Sequence, residues 1–266
     1  MTNSLLWKIQ KKDHPAKAFL FGTIHVYDSN VFGIPDMIYK LIDEVDIYSP
    51  ETDNRLTSYV NMLNYMTVDD PNYSLKDYLS PESYVRILNI AGIDTDILDR
   101  YKPFFVSSLI LKDKDMPDDS IDGDLLNYAA DAGKTICELE SVDEQIGAID
   151  NIPYKEQSEI IENAILSLDS KNDFKKLINS YKEQNLQALK ENLKEMNPAK
   201  IFIDSIQKNR NINMSNKIVS MLNAGHSLFV AVGAMHIPDT DDVKGIVSLL
   251  ADKDYKVEPM NFSFIY

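Results

Sequence analysis

The chain has 266 residues, 44% of them hydrophobic, so it is long enough to bury a substantial core. Its 42 Asp and Glu residues outnumber 27 Lys and Arg residues, and the formal net charge of −15 opposes binding to nucleic acid or anionic lipid. The single cysteine, Cys137, excludes an intramolecular disulfide and a thiolate metal cluster.

The N-terminal part of the chain predicts a β-α-β unit. An apolar strand at 17–26 contains the sequence FGTIH, an amphipathic helix follows at 35–43, and a second strand at 44–51 leads into the acidic sequence ETD. We therefore assign residues 5–54 to one unit, whose first strand ends in a GxxH motif.

The middle of the chain is predicted to be mainly helical. Periodic apolar residues indicate helices within 55–121 and 152–223. No linker rich in Gly, Ser or Pro separates these segments, which favours insertions packed over a sheet rather than separate domains. Between them, residues 122–145 predict a helix followed by a strand at 134–140, which ends in Glu140.

The C-terminal part repeats the order of the first unit. A strand at 227–236 contains GAMH, and a helix at 239–252 and a strand at 255–260 complete a unit over 226–266. The sequence Ile-Pro-Asp lies between histidine and helix in both units, which favours an internal duplication. Because parallel strands with right-handed crossovers end at one edge, we expect both GxxH motifs at the same edge of a mixed α/β sheet. The whole chain, 1–266, is expected to form one domain.

Glycine residues are expected to shape both GxxH turns. Gly22 and Gly233 lack a Cβ, so the backbone can turn sharply at each strand end and let His25 and His236 project from the sheet edge. A single histidine at a strand end is commonly a structural residue. Two imidazoles at one edge, however, form half of a transition-metal site, which also needs one or two carboxylates and an open position for water.

Acidic residues after the second strand could complete such a site. Glu51 ends that strand, and Asp53 is close enough to be a second ligand or to support the first, although both are also ordinary turn residues. A histidine and a glutamate can also activate water without a metal, with an arginine that stabilises the oxyanion. Arg210, in the sequence KNRNIN, is the candidate for that role, and an ordinary helix arginine is the alternative.

Several familiar signals are absent from the sequence. It contains no Walker A loop, GxGxxG, HExxH or GxSxG motif, which are the usual carriers of nucleotide binding, zincin-type proteolysis and α/β-hydrolase chemistry. No run approaches the ~20 apolar residues of a membrane span. The N-terminus lacks a basic, apolar leader, so a cytoplasmic protein is expected, with an exported domain that has lost its leader as the alternative.

Taken together, the sequences FGTIH, ETD, LESVDEQ, NRN and GAMH followed by IPD resemble the TraB/GumN family, which includes the TIKI metalloproteases. The resemblance runs from LLWKI to the last strand. It implies an α/β fold related to erythromycin esterase and the haem-uptake protein ChaN. It also implies a divalent metal, Mn, Co or Zn, held by His25, Glu51 and His236.

The resemblance extends to supporting residues. Glu140 and Asn211 match polar positions that contact substrate or support the ligands, and Arg210 matches a further one. Pro50 departs from the family pattern, in which an apolar strand leads straight into the acid, and this puts the position of Glu51 in doubt.

The resemblance implies a metal-dependent hydrolase that acts on peptides, in which the metal activates water and an arginine stabilises the oxyanion. Two other functions stay open. One is a non-catalytic protein that sequesters a peptide or haem-like ligand, and the other is a metal-independent esterase that uses histidine and glutamate. The partner is a peptide or small-molecule substrate in each case. The substrate, the native metal and the oligomeric state do not follow from the sequence.

Overall fold

A computed structural model describes residues 3–11, 17–24, 32–53, 55, 57, 59–106, 120–167, 171–195 and 200–265. Helices pack around a central mixed sheet, which confirms the predicted α/β fold class. None of the helices in these ranges is both long enough and apolar enough to cross a bilayer.

The sheet has six strands among the described residues, in the order β4-β3-β5-β2-β1-β6. They are β1 (Leu6–Gln10), β2 (Ala18–Thr23), β3 (Ile47–Pro50), β4 (Thr135–Ile136), β5 (Leu228–Gly233) and β6 (Lys256–Pro259). Strands β2 to β5 are parallel, whereas β1 is antiparallel to both β2 and β6. All strands except β1 therefore end at one edge, which we call the carboxyl edge.

The two GxxH units interleave within the sheet. Strand β5 lies between β2 and β3, and its register with β2 places Gly233 opposite Thr23. The ends of the two motif strands thus share the carboxyl edge, as the sequence predicts, and the structure shows that they are also adjacent. Glu258, which follows the second histidine much as Glu51 follows the first, lies instead on edge strand β6 and pairs with Lys256. The origin of the units by duplication stays a prediction.

Helices surround the sheet and fill the insertions between its strands. The α-helices are α1 (Asp36–Asp43), α2 (Tyr59–Met66), α3 (Pro81–Ala91), α4 (Thr95–Leu98), α5 (Ile121–Asp131), α6 (Val142–Asp150), α7 (Tyr154–Ser167), α8 (Lys171–Lys182), α9 (Leu186–Glu195), α10 (Lys200–Ile203), α11 (Asn209–Asn223) and α12 (Ile246–Ala251). A π-helical turn at Asp204–Lys208 joins α10 to α11.

Among the predicted elements, one helix and one strand are much shorter than expected. The helix predicted at 239–252 begins only at Ile246, because the Asp239 carboxylate accepts hydrogen bonds from the Gly245 N–H and the Ser248 hydroxyl, both at 2.8 Å. This local bonding competes with helix formation before residue 246. The strand predicted at 134–140 is regular only over Thr135–Ile136.

The main core surrounds the sheet. Strand β2 is buried along its whole length and β5 along nearly all of it, as expected for parallel strands covered on both faces. Tyr48 of β3 stacks on Phe229 of β5, with ring centroids 5.9 Å apart.

A second core lies among helices of the two insertions and of the segment between them. Its buried residues are Leu75, Leu79, Tyr84, Ile87, Leu98, Tyr101, Phe105, Val106, Ile146, Ile149 and Ile161. The fully buried Gln157 helps to hold these helices together, since it accepts a hydrogen bond from the Phe104 N–H and donates to the carbonyls of Ile149 and Ile152. The insertions therefore build a core of their own.

Candidate functional site

Glu51 lies at the carboxyl edge directly after β3, and its side chain is 7% exposed. Its Oε2 accepts a hydrogen bond from the Gly233 N–H at 3.0 Å. Its Oε1 accepts from Gln145 Nε2 at 3.1 Å and from Arg210 Nη2. Three separate elements thus fix this carboxylate.

Pro50 does not displace Glu51 from the edge. It is the last residue of β3, lies in register with Ala231, and its carbonyl accepts the Leu139 N–H at 2.8 Å. One residue further on, the Glu51 carbonyl accepts the Glu140 N–H at 3.0 Å. The segment after β4 therefore stays beside β3 and brings Glu140 next to Glu51, although it is not a regular strand.

Arg210 joins the two buried carboxylates. Its Nε donates to both oxygens of Glu140, at 2.9 and 3.0 Å, and its Nη2 donates to Glu140 Oε1 and Glu51 Oε1. Its Nη1 donates to the Ile206 carbonyl at 3.2 Å. These bonds use four of the five guanidinium N–H groups. Stabilisation of an oxyanion by Arg210 stays a prediction, but its contacts favour a role in holding the carboxylates.

The charges of this cluster do not balance when both carboxylates are ionised. Burial raises the pKa of Glu140; hydrogen bonding to Arg210 opposes the shift, and the charge of Glu51 adds to it. Burial by itself would lower the pKa of Arg210, but the charges of Glu51 and Glu140 outweigh burial and raise it. The guanidinium therefore stays protonated, and within this trio two carboxylates share one positive charge.

His236 is the second predicted ligand that the structure places at this edge. It ends a short 3₁₀ turn, Ala234–His236, that follows β5. Its Nδ1 lies 2.6 Å from Asn211 Oδ1, while Asn211 Nδ2 donates to the Lys244 carbonyl at 3.0 Å. Because the amide nitrogen is used by that carbonyl, the amide oxygen faces the imidazole, and the network assigns the hydrogen to Nδ1.

The other imidazole nitrogen faces the acid. His236 Nε2 lies 3.8 Å from Glu51 Oε2, which is too long for a direct hydrogen bond. In the neutral imidazole with hydrogen on Nδ1, both facing atoms are electron-pair donors. Two ligands at ~2.1 Å from one metal are separated by at most about 4.2 Å, so a divalent cation fits this spacing.

The third predicted metal ligand, His25, lies outside the described residues. Within the described ranges, no group of three His, Cys, Asp or Glu side chains is arranged to hold a metal ion. The structure therefore supplies two facing donor atoms, and the complete ligand set stays a prediction.

The family model for the TraB/PrgY/gumN family matches residues 5–259. The chain belongs to this family. The match confirms the resemblance predicted from the sequence motifs. A comparison with curated proteins finds no significant match. Membership establishes kinship but not the reaction, which depends on the residues at the carboxyl edge.

In this TraB/PrgY/gumN chain, two consecutive residues of one helix contact the site: Arg210 binds the two carboxylates and Asn211 contacts His236. Arg210 and Asn211 lie in the first turn of α11, directly after the π-helical turn. π-helical turns are rare in proteins, and those that occur often lie at functional sites. Here the turn contains Ile206, whose carbonyl accepts the Arg210 hydrogen bond.

Asp53 is not brought into this cluster. Its carboxylate binds Arg55, with Nε–Oδ1 and Nη2–Oδ2 distances of 2.8 and 2.6 Å, and these bonds lower the pKa of Asp53. Its backbone N–H donates to Glu138 at 2.9 Å. A role of Asp53 at the metal or substrate stays a prediction, and its contacts favour a local structural role.

The predicted sharp turn does not explain either motif glycine, and only Gly22 is required for another reason. Neither has a positive φ. A Cβ on Gly22 would lie 2.7 Å from Ile237 Cδ1 and 3.1 Å from the Cα of Ala234, so Gly22 lets the turn after β5 pack against β2. A Cβ on Gly233 would meet His236 and Glu51 at 3.5 and 3.6 Å, which are ordinary contacts.

Gln145 is a site residue that the sequence analysis missed. It lies in α6, which starts with a capping box formed by Ser141 and Glu144. That S-x-x-E motif directly follows Glu140 in the sequence LESVDEQ. The motif thus predicts that a helix starts directly after Glu140, but it does not predict which side chain of that helix reaches Glu51.

Proposed function

We propose that this protein is a metal-dependent hydrolase that acts on peptides, with a divalent cation held by His25, Glu51 and His236. The observation that carries the proposal is the 3.8 Å approach of His236 Nε2 to Glu51 Oε2, two electron-pair donors that face each other. A divalent cation placed between them would be bound by both donor atoms. The peptide as substrate rests on the resemblance to the TIKI metalloproteases.

The charge of the cluster supports the same proposal. Glu51 and Glu140 are both buried, and Arg210 supplies one positive charge for the two of them. An unbalanced buried charge is costly, whereas buried charges that coordinate a metal are common. A divalent cation beside Glu51 would reduce the repulsion between the two carboxylates.

The surrounding residues orient the two donor atoms. Asn211 holds the hydrogen of His236 on Nδ1, so that Nε2 keeps its lone pair, a common arrangement for histidine ligands. Arg210 and Gln145 both donate to Glu51 Oε1, which leaves Oε2 as the oxygen that faces the imidazole. A divalent cation, when bound, would lower the pKa of a bound water molecule and polarise the carbonyl group of a substrate.

The first test measures metal content. The protein is purified without affinity metals, and Mn, Co and Zn are quantified by elemental mass spectrometry. We expect about one metal per chain in the wild type, none in the His25→Ala/His236→Ala variant, and an unchanged content in His226→Ala. His226 lies in the exposed turn before β5, so it is a matched control. Circular dichroism checks that each protein is folded. A wild type that cannot be loaded with metal would overturn the proposal.

The second test measures turnover on a peptide library, with products identified by mass spectrometry. We expect cleavage that is lost in a chelator and restored by added metal. Cleavage or ester hydrolysis that survives the chelator would instead support the metal-independent esterase. Saturation at one bound ligand per chain, without products, would support a sequestering protein.

A further inference from the structure

Helix α6 belongs to the second core and to the candidate site at the same time. Its residues Ile146 and Ile149 are buried in the second core. The residue just before Ile146 is Gln145, whose Nε2 donates to Glu51 Oε1 at 3.1 Å. A residue of a helix that is anchored in the second core therefore donates a hydrogen bond directly to Glu51.

A second connection runs through the π-helical turn, which packs against α6. The Ile206 side chain packs against the second core, and its carbonyl accepts the hydrogen bond from Arg210 Nη1. Gln145 and Arg210, whose side chains donate to Glu51 Oε1, are thus both connected to the second core. By contrast, the Gly233 N–H that donates to Oε2 belongs to the sheet.

From these contacts we infer that Gln145 is a positioning residue that couples the packing of the second core to cation binding at Glu51. The inference rests on the proposed function, because it concerns the same cation. With Oε1 occupied, Glu51 can turn only Oε2 toward His236. Because coupling is reciprocal, a cation that fixes Glu51 in turn strengthens the docking of α6.

The inference is tested with Gln145→Met, which keeps the length and helix propensity of the side chain but removes the N–H donor. Its matched control is Gln157→Met, since Gln157 is a buried glutamine that stabilises the second core through Phe104, Ile149 and Ile152. Dissociation constants for Zn²⁺ and Mn²⁺ are measured by titration calorimetry at a temperature where all proteins are folded. Melting temperatures are recorded without metal.

We expect Gln145→Met to weaken cation binding about 10- to 100-fold, the usual effect of removing a residue that supports a ligand. Gln157→Met should lower the melting temperature and weaken cation binding by no more than about threefold, because it loosens the packing around α6 but keeps the Gln145 hydrogen bond to Glu51. Equal dissociation constants for wild type and Gln145→Met would overturn the inference.

Hydrogen exchange on the wild type tests the coupling without any variant. We expect added Zn²⁺ or Mn²⁺ to slow amide exchange in 142–150, in addition to the residues that follow β3 and β5. Metal binding with no protection of 142–150 would overturn the inference and leave the proposed function intact. A wild type that binds neither metal would overturn the proposed function, and the inference with it.

Discussion

Replacement of Arg210 by methionine tests the charge balance of the buried cluster. The variant keeps an unbranched side chain but leaves Glu51 and Glu140 without their guanidinium. Glu51 would retain the donors Gly233 and Gln145, whereas Glu140 receives side-chain hydrogen bonds only from Arg210 within the described part of the chain. The side chains of the charged trio are 7 to 9% exposed, so water screens them poorly.

The expected loss at neutral pH is about 3–5 kcal/mol in the free energy of unfolding, the usual cost of removing one partner from a buried ion pair. The Arg210→Met/Glu140→Gln variant should recover about 1–3 kcal/mol, because it removes the less supported of the two unpaired charges. Arg100→Met is the control. Arg100 is 55% exposed and pairs with an exposed aspartate, so its loss should change the free energy by less than about 1 kcal/mol.

The loss should also depend on pH. Burial already raises the pKa of Glu140, and the pKa rises further when Arg210 is absent. A carboxyl group whose pKa is higher in the folded than in the unfolded state favours folding as the pH falls. The gap between Arg210→Met and wild type should therefore narrow from pH 7 to pH 5.

Urea denaturation of the metal-free proteins at pH 5 and 7, followed by circular dichroism, measures these free energies. The reasoning would be refuted if Arg210→Met were as stable as Arg100→Met at pH 7. It would also fail if the double variant were no more stable than Arg210→Met.

Three further predictions concern the surroundings of the cluster. Gly22→Ala should destabilise the fold by about 1–3 kcal/mol through overpacking, whereas Gly233→Ala should leave the free energy of unfolding unchanged or slightly raised; urea denaturation of both variants distinguishes the two glycines. Ser141→Ala should cost about 0.5–2 kcal/mol because it removes the N-cap of α6, and Ser141→Thr should restore most of the loss in the same assay. Asp53→Asn should lower the free energy of unfolding by no more than about 1 kcal/mol above pH 5 and leave the metal content unchanged. Because the pKa of Asp53 is lowered in the folded protein, its contribution to stability disappears as the pH falls through that lowered pKa. Loss of metal in the variant would instead support the predicted ligand role.

The general position of the site could be predicted because it depends on strand ends. Two apolar strands that end in GxxH motifs were expected to end at one edge of the sheet, and the register of Thr23 with Gly233 confirms the shared edge. Glu51 follows from the same rule, since it comes directly after β3, whereas Glu140 lies four residues after the end of β4 and is held beside β3 by an irregular segment.

The contacts within the site could not be predicted in the same way. Gln145 reaches Glu51 only because α6 docks between the second core and the sheet edge, and no local pattern encodes that docking. The use of Gly22 is likewise nonlocal: its missing Cβ makes room for Ile237, which is far away in the chain. The helix predicted from sequence periodicity also starts too early, at 239 instead of Ile246. Periodicity carries no information on the local hydrogen bond between the Gly245 N–H and the Asp239 carboxylate.

The cluster at the carboxyl edge is difficult to explain by stability alone. Burying two carboxylates around one guanidinium requires desolvation of all three groups, and well-packed apolar side chains in such positions are often as stable or more stable. The arrangement does achieve one thing that apolar packing cannot. It fixes Glu51 Oε2 at 3.8 Å from His236 Nε2, the pair of atoms on which the proposed metal site rests. The instability of Arg210→Met therefore measures how far the cluster depends on its guanidinium, and the metal content of the wild type measures whether the same cluster holds a cation.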